Sequence, residues 1–302
     1  MPGYVKTILK IALSALSLWL VFRQVDVRQV WAVLTKAQVG WLLAATGLFI
    51  GSKFLSAERL RLLFARVGVS IKFWPHLKLY WVGMYYNLFL PGGIGGDGYK
   101  VYLLNRLTST PVKLLIQATL LDRLLGLLPL LFLLLLLAAW LLPSLWMEMP
   151  SLAGMASPST ATILLTVGIL IALGYVLGHW LLRRLMPSFA PDYHRTVAQS
   201  LGVQMAQAFQ VLALVAALGA EGSSEAYLLV FLVSSIVATI PFTIGGAGAR
   251  ELTFLYGARL FHLPVDAAVA VSLLFYLITA FVSLTGAAFS FSSSTLTNDL
   301  TT

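Results

Sequence analysis

The residues with the most chemical potential in this chain come in two matched sets. One reads "PGGIGGDGYK", from Pro91 to Lys100; the other reads "PFTIGGAGARE", from Pro241 to Glu251. They align without a gap as P-x-x-I-G-G-x-G, and each carries a basic residue two positions past its last glycine, Lys100 in the first copy and Arg250 in the second. Glycines let a backbone turn tightly and present bare N–H groups, and a helix starting at such a turn adds its positive N-terminal end. Gly92, Gly93, Gly95 and Gly96 with Lys100, and Gly245, Gly246 and Gly248 with Arg250, are therefore candidates for holding an anion such as phosphate. A cation in the first turn of a helix is locally unfavourable, and a bound anion would offset that conflict. Arg250 could grip phosphate through two parallel hydrogen bonds, whereas Lys100 would act as a point charge. The alternative is an internal pair, in which each cation is satisfied by Asp97, Glu251 or a carbonyl. The sequence leaves both open.

Other polar residues sit in apolar surroundings. "ATLLDRLLGLLP" places Asp122 and Arg123 inside a long hydrophobic run, where a charge at the bilayer centre costs about 2.5–3.5 kcal/mol on insertion scales. Adjacent helical residues do not face one another, so the two are expected to find separate partners in the bundle, the first motif among them, unless the pair lies at the membrane interface. Asn87 is placed to cap or cross-link the first break, and Thr239 and Thr243 the second. Asp97, Asp122 and Glu251 are candidates for a proton or charge relay. The four histidines, His76, His179, His194 and His262, lack metal-ligand spacing and are expected at the interface. No catalytic constellation, metal site or cofactor site stands out. Gly93 to Gly98 also satisfies G-x-G-x-x-G, but that fingerprint needs a preceding strand; here "LKLYWVGMYYNLFL" precedes it, which rules out the nucleotide reading.

The elements that position these residues are membrane helices. The chain is 59% hydrophobic and 10% charged, against roughly 25% charged in soluble domains, and its mean hydropathy is +0.90. With no cysteine there are no disulfides or thiolate ligands. The N-terminal "MPGYVKTILKIALSALSLWLVF" resembles a signal peptide, but Trp19, Phe22 and Arg23 stand where a small-residue cleavage site belongs, so a retained helix is expected. A net charge of +9, carried at the ends of apolar runs, fits topology signals and anionic headgroups rather than nucleic acid.

Six full spans are expected, at 5–22, 39–57, 113–142, 160–182, 197–219 and 264–290. Two further apolar segments, 73–90 and 226–240, run into the glycine motifs, and short helical stretches follow at 98–107 and 249–262. Lys53, Arg59, Arg61, Arg66, Lys72 and Lys78 read as a basic, cytoplasmic loop. The 143–159 and 219–226 connections, without Lys or Arg, read as external, and 183–196 as cytoplasmic; Arg23, Arg28 and Lys36 in the 23–38 loop fit this scheme poorly. The first composite, 73–107, then enters and leaves by the cytoplasmic face and the second, 226–262, by the external face. The expected fold is all-α and integral to the membrane, one polytopic domain over 1–302. It is an inverted repeat of two halves, 1–142 and 160–290, with two opposed re-entrant helical hairpins. Broken elements in matching positions mark a transporter's midplane site; the plainer reading is that the glycines only allow close helix packing.

"NLFLPGGIGGDGYKVYLLNR" and "TIPFTIGGAGAREL", with "LLDRLLGLLP" between them, resemble the lysylphosphatidylglycerol synthase transmembrane family, the flippase-like membrane region of bacterial multiple-peptide-resistance factors. The resemblance covers roughly residues 5–290. It implies an integral membrane protein that moves a lipid with a charged headgroup between leaflets; the motif cations point to an anionic headgroup, and the expected location is the bacterial inner membrane with both termini cytoplasmic. Synthases of this family add a soluble aminoacyl-transfer domain, and this chain ends at "SSSTLTNDLTT", so lysyl-lipid synthesis is not expected of these residues. Lys100 stands where the family pattern more often has arginine. The expected partners are anionic membrane lipids, further copies of the chain or a separate lipid-modifying enzyme. No ATP-binding motif is present, so movement would be downhill or ion-coupled. The competing readings are a membrane transferase, or its accessory subunit, on a polyprenyl-phosphate, phospholipid or hopanoid pathway, and a small-solute transporter or channel sharing the inverted hairpins.

Overall fold

The computed structural model describes residues 19, 23, 27–89, 95–148, 159–239 and 248–291. All regular structure there is helical: α1 Val27–Thr35, α2 Val39–Ala65, α3 Phe73–Phe89, α4 Gly95–Thr108, α5 Val112–Glu148 and α6 Thr160–Leu185, then a 3-10 turn Pro187–Asp192, α7 Tyr193–Leu218, α8 Ser224–Thr239, α9 Ala249–Leu260, α10 Val265–Leu284 and α11 Gly286–Phe291. Five segments are long and apolar enough to cross a bilayer: Val39–Ala65, Val112–Pro143, Thr160–Leu185, Pro187–Leu218 and Val265–Phe289. The expected span at 5–22, and the motif residues Gly92, Gly93, Gly245 and Gly246, lie outside the described residues.

Several boundaries differ from expectation. The second span does not stop at residue 57: nothing in "SKFLSAERLRLLFA" breaks a helix, so α2 continues until Gly68, at φ 89°, turns the chain. Lys53, Arg59 and Arg61 therefore belong to a helix, not to a loop. Likewise α5 runs past residue 142, through Pro129 and Pro143, to Glu148. Residues 27–35 of the supposed 23–38 loop form α1, and α7 begins at Tyr193 after the 3-10 turn. Its far end is conventional: Gly219 adopts the left-handed conformation, and Ala220 donates to the Val215 carbonyl at 3.0 Å.

Helices α2 and α7 form the most extensive helix contact and run antiparallel. Arg66, after α2, pairs with Asp192, before α7, at 2.6 Å; at the opposite end the Gln38 amide donates to the Ala217 carbonyl at 2.8 Å. Around this pair α3 packs on α4, and α8 on α9. Glycine permits both approaches: a methyl added at Gly96 would lie 1.8 Å from the Gly83 carbonyl oxygen, and one at Gly257 would lie 2.5 Å from a Val230 methyl. By contrast α6 packs on α5 and the 3-10 turn, and no residue of its most apolar stretch is buried.

Two apolar clusters divide the bundle. One gathers Leu63, Phe64, Ile71, Leu104, Leu115 and Tyr193, near the Arg66–Asp192 end. The other gathers Ala45, Val211, Tyr227, Phe231, Phe254 and Phe275, towards the Gln38–Ala217 end. On α2 and α7 the sequence turns polar between the stretches that feed these clusters, and on α5 Asp122 and Arg123 interrupt the stretch that feeds the first.

Candidate functional site

That intervening layer holds most of the buried charge. Asp122 lies about 15 Å along α5 from Val112 at 1.5 Å per residue, and its side chain is 13% exposed against 39% for that of Arg123. The two neighbours separate as helix geometry requires. Asp122 accepts from Arg59 Nε of α2 at 2.7 Å, while Arg123 turns to the first motif, donating from Nε to Asp97 Oδ2 at 2.8 Å. Arg59 is 5% exposed and also donates from Nη1 to Ser200 Oγ of α7 at 2.7 Å. Lys100, 4% exposed, pairs with Asp97 at 2.7 Å and points its ammonium at the Tyr80 ring, 4.8 Å from the centroid. Three cations thus share two carboxylates in one layer.

Backbone groups enter the same layer. Asn87, at the end of α3, accepts from the Gly96 amide at 2.8 Å and so cross-links the break between α3 and α4. Gln204 of α7 donates to the Gly126 carbonyl at 3.1 Å, one turn past Asp122 and just before Pro129 interrupts the α5 ladder. Its Oε1 is buried without a hydrogen-bond partner.

The glycines of the first motif do not all present bare amides. Gly95 through Gly98 form the opening turn of α4; Gly96 is a packing glycine whose N–H is spent on Asn87, and Gly98 is exposed. In the second motif Gly248 takes φ 84° ahead of α9, and Glu251 reaches back to accept its amide at 2.6 Å. Glu251 is 1% exposed, and its other oxygen accepts from Ser272 at 3.1 Å. Both carboxylate oxygens are thereby engaged, so Arg250 is left to aromatic rings. Its guanidinium carbon lies 4.4 Å from the Phe275 centroid and 5.8 Å from that of Phe231. Such contacts contribute about 0.5–2 kcal/mol each, less than the several kcal/mol that desolvating an unpaired charge costs.

The open question at the two motifs therefore resolves differently in each. Lys100 is internally paired; Arg250 forms no ion pair among the described residues, and its Nη1 is buried with no hydrogen-bond partner there. Thr239 bonds back to Ile236 within its own helix rather than bridging the second break, and Thr243 lies outside the described residues. His76 is fully buried against Phe64, both ring nitrogens unpartnered, because α3 turns that face into the first apolar cluster. Among the described residues no group of three or more His, Asp or Glu could hold a metal.

Two network members were hidden in the sequence, Arg59 among the basic "loop" residues and Ser200 in an ordinary apolar helix. The signal for Arg59 was helical spacing: Ser52, Ser56 and Arg59 recur at four and three residues, one polar stripe on an apolar helix. All three are buried.

The lysylphosphatidylglycerol synthase TM region matches residues 7–286. The chain belongs to that family. The match takes in both glycine motifs and the Asp122–Arg123 pair, so the ionic layer lies wholly within the family's membrane region. No curated protein matches the chain by sequence. As a multi-pass member of the lysylphosphatidylglycerol synthase TM family, the protein falls in a group concerned with lipid handling.

Proposed function

We propose that the protein is a lipid translocase that moves a lipid with an anionic, phosphate-bearing headgroup between leaflets without altering it. The observation that carries this reading is the ionic layer inside the bundle of membrane helices, in which three cations share two carboxylates. Charges within membrane helices are kept where they serve a pathway or substrate. The headgroup would pass through this layer, steered by the glycine-rich turns, Arg250 and the Asp97–Lys100–Arg123 cluster, while its chains stay in lipid.

The reading includes an inverted repeat with opposed re-entrant hairpins, α3–α4 and α8–α9. Its support is the pattern of packing partners. Pairing α2 with α7, α3 with α8, α4 with α9 and α5 with α10 makes the contacts of one half recur in the other: α2–α5 answers α7–α10, and α5–α8 answers α10–α3. Gly222, before α8, lies against Leu263, after α9, which fits a hairpin that returns to its own face. Ile71 and Leu107 share the first apolar cluster, which fits the same behaviour at the other face. The Arg66–Asp192 face carries the basic connections and is proposed to be cytoplasmic.

The test is headgroup translocation in proteoliposomes. The Lys100→Ala, Arg250→Ala double variant is expected to slow transfer at least about tenfold, the scale of one lost charge-assisted contact. Unchanged rates would remove the site assignment, and a chemically altered lipid product would favour the transferase reading.

A further inference from the structure

Resting on the headgroup reading above, we propose that Lys53 of α2 and Arg250 of α9 form a two-pronged clamp for the headgroup phosphate, Lys53 taking the place that the repeat assigned to Lys100. Lys100 already holds Asp97 at 2.7 Å, so the symmetric pair of motif cations does not arise. Lys53 and Arg250 differ from every cation of the ionic layer, since neither forms an ion pair among the described residues. Both rest on one aromatic block instead. Lys53 Nζ stands 4.5 Å from the Phe49 centroid, the Arg250 guanidinium lies 4.4 Å from that of Phe275, and Phe49 meets Phe275 edge to face at 6.4 Å. Lys53 is within Coulombic range of both Arg250 and Arg59.

The two cations carry like charge, and Glu251, the nearest carboxylate in sequence, spends an oxygen each on the Gly248 amide and the Ser272 hydroxyl. A ring lies against each cation, and Arg250 Nη1 is buried with no hydrogen-bond partner. A group with at least two anionic or half-anionic oxygens satisfies both prongs, the guanidinium as a planar fork and the ammonium as a point contact. Phosphate has that geometry. Its source is a lipid, because Phe49, Phe231 and Phe275 belong to apolar clusters inside the bundle, which a tail-less, strongly hydrated anion would not enter.

The experiment titrates the full chain, purified in detergent, with short-chain phosphatidic acid, phosphatidylglycerol, phosphatidylcholine and inorganic phosphate, reading binding by native mass spectrometry. Lys53→Gln and Arg250→Gln are each expected to weaken the two anionic lipids about tenfold, the scale of one charge-assisted hydrogen bond. Lys53→Arg should retain most of the affinity. Phosphatidylcholine, whose own cation would face Lys53, should bind more weakly than either. With no lipid added, Lys53→Gln should melt no lower than wild type, because it relieves repulsion. Unchanged anionic-lipid affinity in both glutamine variants would overturn the clamp. So would inorganic phosphate binding as tightly as the lipids, or a lower lipid-free melting temperature for Lys53→Gln, which would make Lys53 structural. The translocation assay separates the two readings. Transfer that is unaffected by either glutamine variant removes the clamp and leaves the translocase; lipid bound through the clamp but never transferred does the reverse.

Discussion

The Arg59–Asp122 pair shows what a single charge contributes in this bundle. Its side chains are 6% and 13% exposed and meet at 2.7 Å. Removing one partner leaves the other desolvated without compensation, which costs about 3–5 kcal/mol in buried pairs. Arg59→Met and Asp122→Leu should therefore each lower the melting temperature markedly in detergent, as followed by circular dichroism. The Arg59→Met, Asp122→Leu double variant should be more stable than the worse single, because no orphan charge remains. Equal losses that simply add would mean the pair is not coupled. The same logic applies at Asp97, which serves both Lys100 and Arg123. Asp97→Asn removes the carboxylate of the buried Lys100 together with one contact of Arg123, and is expected to destabilise at least as much as Asp122→Asn, measured the same way.

At the scale of elements, the short helices beside the breaks are held by close approach rather than by their own propensity. Helix α4 opens with Gly95, Gly96 and Gly98, and glycine disfavours a helix by about 1 kcal/mol relative to alanine. What compensates is the contact between Gly96 and Gly83, which only a missing side chain permits. Gly96→Ala would drive a methyl into the Gly83 carbonyl and force α3 and α4 apart, so loss of folded protein on size-exclusion chromatography is expected. Gly98→Ala, one turn position away with nothing within 4 Å, should be neutral or stabilising by up to about 1 kcal/mol. If both substitutions behave alike, packing does not fix the hairpin.

For the whole molecule, the antiparallel α2–α7 pair fixes which connections share a face. Residues after α2 and before α7 meet at Arg66–Asp192, while residues before α2 and after α7 meet at Gln38–Ala217. With 27 residues in α2, the two faces stand about 40 Å apart, enough to straddle a bilayer. The chain has no cysteine, so single-cysteine variants report without background. Ser70→Cys, after α2, and Ser223→Cys, before α8, are both exposed. They should react with a membrane-impermeant maleimide from opposite sides of oriented vesicles, Ser70→Cys from the cytoplasmic side. Labelling of both from one side would remove the opposed-hairpin reading.

Much of this was legible in the chain itself. Apolar runs of bilayer length dictate helices because hydrocarbon leaves backbone groups no other partner. Asp122 and Arg123 had to seek different partners because neighbours on a helix face apart. What the sequence could not supply was the partner of each charge, since pairing is settled by which helices pack. Local pattern made Arg59 a loop cation; only the docking of α2 between α5 and α7 buries it on Asp122 and Ser200. The two motifs share their glycines and a cation but differ at one position, Asp97 in the first and Ala247 in the second. Packing closes Lys100 on that carboxylate and sets Arg250 against the Phe275 ring, a choice of partner that the strings leave open.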